Sequence, residues 1–280
     1  MRTRSLIAMG SGALLAAAAG WLVRKRKAER KTLLALWRSL EMQPVSGGEH
    51  FREEMTGGLP DPARRYLLHA IQPGTRLART AALEMGGAIR LSPQGPWQPM
   101  AGREVLAPPF GFAWQAQVRR GLRRFSKSET YAGSQAVLSS WLWGWLPLAR
   151  AGGEDISRSA RGRLAIESIW NPAALLPQRG ANWQAVDDQS VRLTLIIDGE
   201  PVSLTMQIEP DGSLATVTML RWGNPAEKGG FDWLPFGLEA LEERTFDGYT
   251  IPTQLQAGWW FGAPNFYDCF HPVIERATFQ

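Results

Sequence analysis

The sequence predicts a mainly β protein with packed helices, built on one large meandering antiparallel sheet and preceded by a single N-terminal transmembrane helix. Three observations carry this reading. Residues 5–23 run without a charge. Nine short runs between residues 81 and 262 alternate partly between apolar and polar side chains and are punctuated by Gly, Pro and Asp-Gly. Two stretches, 136–149 and 157–177, break that regularity. With 44% apolar and 20% charged residues the chain can bury a core. Its 280 residues fit one domain plus an anchor, since all-β domains often reach ~200–250 residues. The expected units are an anchor with its basic flank (1–31), a helix and linker (32–58) and one mostly antiparallel β domain (59–280).

At ~1.5 Å rise per residue, residues 5–23 are long enough for the ~30 Å hydrocarbon core of a bilayer. A cleavable signal peptide competes, because alanines at 16–19 offer small residues behind Arg2 and Arg4. Its apolar region usually spans only ~7–15 residues, however, and here RKRKAERK follows at once, which favours a retained anchor. Two basic residues precede the segment and six follow it, placing the body on the cytoplasmic side. Beyond Trp21, at the interfacial position, Leu33, Leu36, Trp37 and Leu40 recur at helical spacing. That helix would lie on the membrane or, the favoured reading, pack on the body.

Residues 41–60 are Gly-, Pro- and polar-rich and read as a connection. Pro62 can then open a helix whose apolar face is Tyr66, Leu67 and Ala70. Strands follow beyond Gly74, with Asp198-Gly199 and Asp211-Gly212 as the clearest hairpin turns. The run 136–149 is nearly uniformly apolar, with Trp141, Trp143 and Trp145 at period two. Residues 157–177 read as a helix ending before Pro172, with Ala160, Leu164, Ile166 and Ile169 on its apolar face. The sheet is expected to wrap around one or both stretches.

Composition also excludes function classes. The pI near 9.7 suggests nucleic acid, yet residues 1–31 hold eight basic side chains and one acid, and the remainder carries 23 basic against 25 acidic. The basicity belongs to the anchor, so no nucleic-acid partner is expected. Arg119, Arg120, Arg123, Arg124 and Lys127 form a local exception, read as the solvated face of a strand pair rather than an anion reader. Cys269 is the only cysteine, and His50, His69 and His271 are not at ligand spacing, so neither an intrachain disulfide nor a metal site is expected. Phosphate, dinucleotide, metalloprotease and esterase signatures are absent, and no cofactor is implied. The acid pairs Asp187-Asp188 and Glu242-Glu243 read as turn and surface residues, because neighbours on a strand face opposite sides. Glu167, amid apolar residues before Trp170, is either a buried carboxylate with a raised pKa or a structural partner of Arg161 or Arg163, the second being favoured.

LPDPARRYL (59–67), Trp97 with Pro99, PPFGFAWQA (108–116), ESIWNPAALLP (167–177), Trp183 with Asp187 and GYTIPT (248–253) together resemble a bacterial family of unknown function whose members carry an N-terminal anchor. The resemblance spreads over about 59–279 and is most specific at E-x-x-W-x-P-x-A-L-L-P. It implies a fold similar to the lipoprotein-carrier class, a curved half-barrel enclosing an apolar cavity capped by helices, and it brings no catalytic residues. A single-pass protein of the bacterial inner membrane follows, its body cytoplasmic by the flank count and periplasmic by the fold analogy.

Thirteen tryptophans, each burying roughly 150–250 Å², need a core, a cavity rim or a membrane interface. The leading expectation is a non-enzymatic module holding an apolar or lipidic ligand, with Trp114, Trp141, Trp143, Glu167 and Trp170 as candidate ligand contacts. The rivals are a hydrolase or transferase acting on a membrane-derived substrate through Glu167 and either His271 or Asp187, and a non-catalytic envelope scaffold.

Overall fold

The computed structural model describes residues 2–42, 48–225 and 229–280, and side chains from Ala19 onward. Helix α1 (Arg2–Glu41) runs unbroken across residue 31. The predicted span 5–23 lies, save its last five residues, outside the described side chains, and no helix among the described residues is long and apolar enough to cross a membrane. Two further helices are α2 (Asp61–Ala70) and α3 (Glu154–Glu167).

The strands fall into two meanders. The first holds β1 (Ala81–Ile89), β2 (Gln98–Ala107), β3 (Gly111–Arg120), β4 (Arg123–Ala132), β5 (Gln135–Leu142) and β6 (Leu146–Gly152). The second holds β7 (Asn182–Ala185), β8 (Ser190–Ile197), β9 (Glu200–Ile208), β10 (Leu214–Gly223), β11 (Asp232–Phe246), β12 (Tyr249–Trp259) and β13 (Tyr267–Phe279). They join where β1 pairs antiparallel with β13, giving one sheet in the order β6-β5-β4-β3-β2-β1-β13-β12-β11-β10-β9-β8-β7. The sheet is strongly curved, because Tyr131 on β4 hydrogen-bonds Asp198 at the β8–β9 turn near the other end of that order.

Local chemistry accounts for these elements. In β8, Val191, Leu193, Leu195 and Ile197 point to the core and alternate with more exposed residues. Asp198 and Gly199 both take positive φ, 51° and 79°, the twist that a two-residue hairpin requires. At Gly212 (φ 92°) an added Cβ would stand 2.6 Å from the Arg65 carbonyl and 2.8 Å from His69 Cβ, so glycine lets α2 press onto this turn. Tyr66, Leu67 and Ala70 of α2 are buried as expected. Phe51 and Met55, in the stretch read as a connection, are core residues too, since Phe51 is stitched to the loop at Gly74 and Thr75 by two backbone hydrogen bonds.

Helix α3 lies inside the curve and ends, as its sequence suggests, through a tight turn at Ser168–Trp170 ahead of Pro172. Helix α1 lies on the other side of the sheet, where Trp37 and Leu40 pack on Val105, Ala107 and Ala113. One expectation is corrected here. The apolar run 136–149 is not enclosed by the sheet but supplies β5, the turn and the start of β6. Its β5 part is apolar on both sides because that strand is covered on both faces, with Leu138 toward α3 and Trp141 toward α1, whereas Trp143, Trp145 and Leu148 beyond it are half exposed.

Candidate functional site

Between α3 and the concave face of the sheet lies a cavity of about 460 Å³. Ile166, Ile169 and Trp170 at the end of α3 form one wall, and Phe236, Leu255 and Trp259 of β11 and β12 face them. Trp170 is 1% exposed and donates its indole N–H to the Pro252 carbonyl at 3.0 Å, which fixes the ring against the sheet.

Arg163 projects from α3 into a ring of carboxylates. Its Nε donates to both oxygens of Glu167 (2.8 and 3.0 Å), Nη1 to Glu129 (2.6 Å) and Nη2 to Glu104 (3.2 Å). Its guanidinium also covers the rings of Phe112 and Trp114. Burial opposes this charge, but the three carboxylates outweigh it and raise the arginine pKa. The same burial, reinforced by the neighbouring Glu167 charge and opposed by Arg163, pushes fully buried Glu104 well above the usual carboxylate range. Glu167 is raised as well, chiefly by burial, with Arg163 opposing. Three acids thus share one cation, and Glu104 is driven toward its neutral form. Among the described residues no group of His, Cys, Asp and Glu is placed to hold a metal ion.

A second arginine faces the same space. Arg221 on β10 is held by a hydrogen bond from Nε to the Ser159 carbonyl at 3.2 Å and lies against the rings of Phe236 (4.7 Å) and Trp259 (5.1 Å). Gly162 makes room for it, since a Cβ there would stand 3.1 Å from Arg221 Cγ. Across the wall, Arg90 rests on the Trp97 ring at 4.6 Å. Cys269 lies within electrostatic reach of both arginines, and burial pushes its thiol up to about 12, far from a nucleophilic thiolate.

Residues 49–268 match a family described as being of unknown function (DUF6544). The chain belongs to that family. The stretch matched to DUF6544 contains Arg221 and the whole Arg163 cluster, while Cys269 and Phe270 lie just beyond it. No curated protein matches the chain. Among solved structures this DUF6544 chain is similar to a LolA superfamily protein from Nitrosomonas europaea, at 9% identity and a TM-score of 0.42 over 78% of this chain and 92% of that one. It is also similar to a DUF1329 family protein from Desulfovibrio piger, at 9% identity and a TM-score of 0.40 over 72% and 86%.

Of the residues singled out from sequence, Trp114, Glu167 and Trp170 come together at the cavity. Trp141 is buried on the opposite face, donating to Glu29 on α1 at 2.9 Å beneath the Arg26 guanidinium. Trp143 is 52% exposed at the β5–β6 turn, with φ at 50°. Both lie outside the cavity. The residues of the enzyme reading do not converge either. Asp187 sits in an exposed turn, where hydrogen bonds from the Gln189 and Ser190 amides hold its carboxyl below the usual range. His271 is paired with Asp268 at 2.6 Å and lies tilted against the Trp97 ring at 4.1 Å. Sequence reasoning passed over Glu104, Glu129, Arg221 and Arg90, although strand alternation carried a signal for several of them.

Proposed function

We propose that this protein binds an apolar or lipidic ligand, without transforming it, in the cavity between α3 and the sheet. The observation that supports this is an apolar-walled space of about 460 Å³, inside the ~300–1,000 Å³ typical of ligand pockets, whose acids Glu129 and Glu167 are already engaged by Arg163. Trp114 and Trp170 contact the ligand in this reading, and Glu167 keeps Arg163 in place. Residues 5–23 tether the protein to the membrane that supplies the ligand, with the body on the cytoplasmic side by the count of basic flanks.

The decisive experiment is solvent extraction of the purified full chain followed by mass spectrometry. Stoichiometric acyl lipid supports the reading. An extract without acyl lipid, together with no uptake of a neutral environment-sensitive dye, replaces it with the scaffold role. For topology, a reporter active only outside the cytoplasm and fused after Gln280 is expected to stay silent; a strong signal puts the body on the other side.

A further inference from the structure

The charges around the cavity do not cancel. Of the arginines that line it, Arg90, Arg163 and Arg221, only Arg163 meets the two lining carboxylates, Glu129 and Glu167. Both of those carboxylates are bonded to Arg163, as is Glu104 behind them. Neither Arg221 nor Arg90 forms an ion pair among the described residues. Arg90 Nε is moreover buried without a hydrogen-bond partner.

Arg221 is set up as a receptor rather than as a strut. Its Nε is spent on the Ser159 carbonyl, and the rings of Phe236 and Trp259 support it, while the residue borders the open cavity. Burial lowers its pKa, and the nearby Glu129 and Glu167 only partly offset this. Guanidinium presents a planar fork of donors suited to two oxygens of a carboxylate or phosphate. An anion there would restore the balance that the protein's own carboxylates leave unmet.

We propose that Arg221, seconded by Arg90, is the subsite for the oxyanion head group, a carboxylate or a phosphate ester, of an acyl ligand whose tail occupies the apolar wall at Phe236, Leu255 and Ile166. This rests on the ligand-binding reading above and adds the class of the ligand. A neutral lipid of the same length would leave both guanidiniums facing an apolar chain.

The test uses the full chain in a fixed concentration of a neutral maltoside detergent, with the uncharged dye N-phenyl-1-naphthylamine as reporter. Oleate, oleoyl lysophosphatidate and oleyl alcohol compete for the dye, which separates a free fatty acid from a phosphate-bearing lipid and both from a neutral chain. At least one anion is expected to displace the dye at a concentration about tenfold or more below the alcohol, one decade being ~1.4 kcal/mol. Arg221→Leu should shrink that gap to about threefold or less while the alcohol still competes, and Arg221→Lys should restore part of it. Equal potency of all three competitors in the unmodified protein overturns the subsite yet leaves lipid binding standing. An undiminished preference in Arg221→Leu overturns the assignment to Arg221. Failure of every competitor and of the dye itself overturns both readings.

Discussion

The two ends of the concave sheet face are built from the same kind of strand and filled differently. At the α2 end Tyr66 meets Trp183 at 6.3 Å, Tyr249 stacks on Phe279 at 4.2 Å, and the Tyr249 hydroxyl accepts from the Ala78 amide and donates to the Arg76 carbonyl. Apolar side chains from the facing layer close that end. At the α3 end the facing layer sets Gly162, Arg163 and Glu167 among the apolar side chains of Ile166, Ile169 and Trp170. A cation and its carboxylates need polar neighbours in fixed positions, so apolar chains cannot simply collapse onto them. The sheet supplies the walls in both places. The helix decides whether they enclose a core or a cavity.

The largest effect that tests this contrast is at Trp170, whose ring is buried and also lines the cavity. Trp170→Ala is expected to cost ~3–5 kcal/mol in urea unfolding, and an unchanged midpoint would mean that the ring contributes nothing to closure. Leucines then give the direct comparison. Leu67→Ala, at the packed end, should cost ~2–5 kcal/mol because it opens a new cavity. Leu238→Ala, beside a space that already exists, should lose mainly the transfer of its methylenes and cost visibly less. Equal losses would erase the distinction.

A subtler test is pH. Glu104 has its folded pKa raised, so its protonated form is favoured by the folded state. Its contribution is therefore full below the unfolded carboxylate value and is lost as pH rises through the raised folded value. Glu104→Gln should flatten the decline in stability above the ordinary carboxylate range, read from urea midpoints across a pH series. A slope as steep as that of the unmodified protein would assign it to another group. The smallest change expected is at the half-exposed His69–Glu243 pair, 2.6 Å apart, where Glu243→Gln should move stability by less than ~1 kcal/mol.

Much of this was legible in the sequence, and the illegible part has physical causes. The α2 face, the end of α3 before Pro172 and the Asp198-Gly199 turn follow from local rules. That Trp141 and Trp143 lie outside the cavity is not readable from sequence, because a run apolar on both sides hides which face is which. Glu104, Glu129 and Arg221 were within reach, since period two puts them on the same side as Leu106, Tyr131 and Met219, all core residues. What no single strand could reveal is that Glu104 and Glu129 converge on one arginine from a distant helix, or that Arg221 is left over. That is a property of the curvature.

The junction of β1 with β13 carries a consequence for biogenesis. The first meander is complete in sequence at Gly152, yet its β1 edge stays open until the thirteen residues of β13 have followed. Throughout that interval the ribosome-bound chain presents an unpaired strand edge, the feature that recruits neighbouring chains into aggregates. The clasp is finished at Gln280, whose backbone accepts from the amides of Arg79 and Thr80 and donates to the Thr80 carbonyl. Shielding of that open edge, and the speed with which β13 follows, should therefore bear directly on yield.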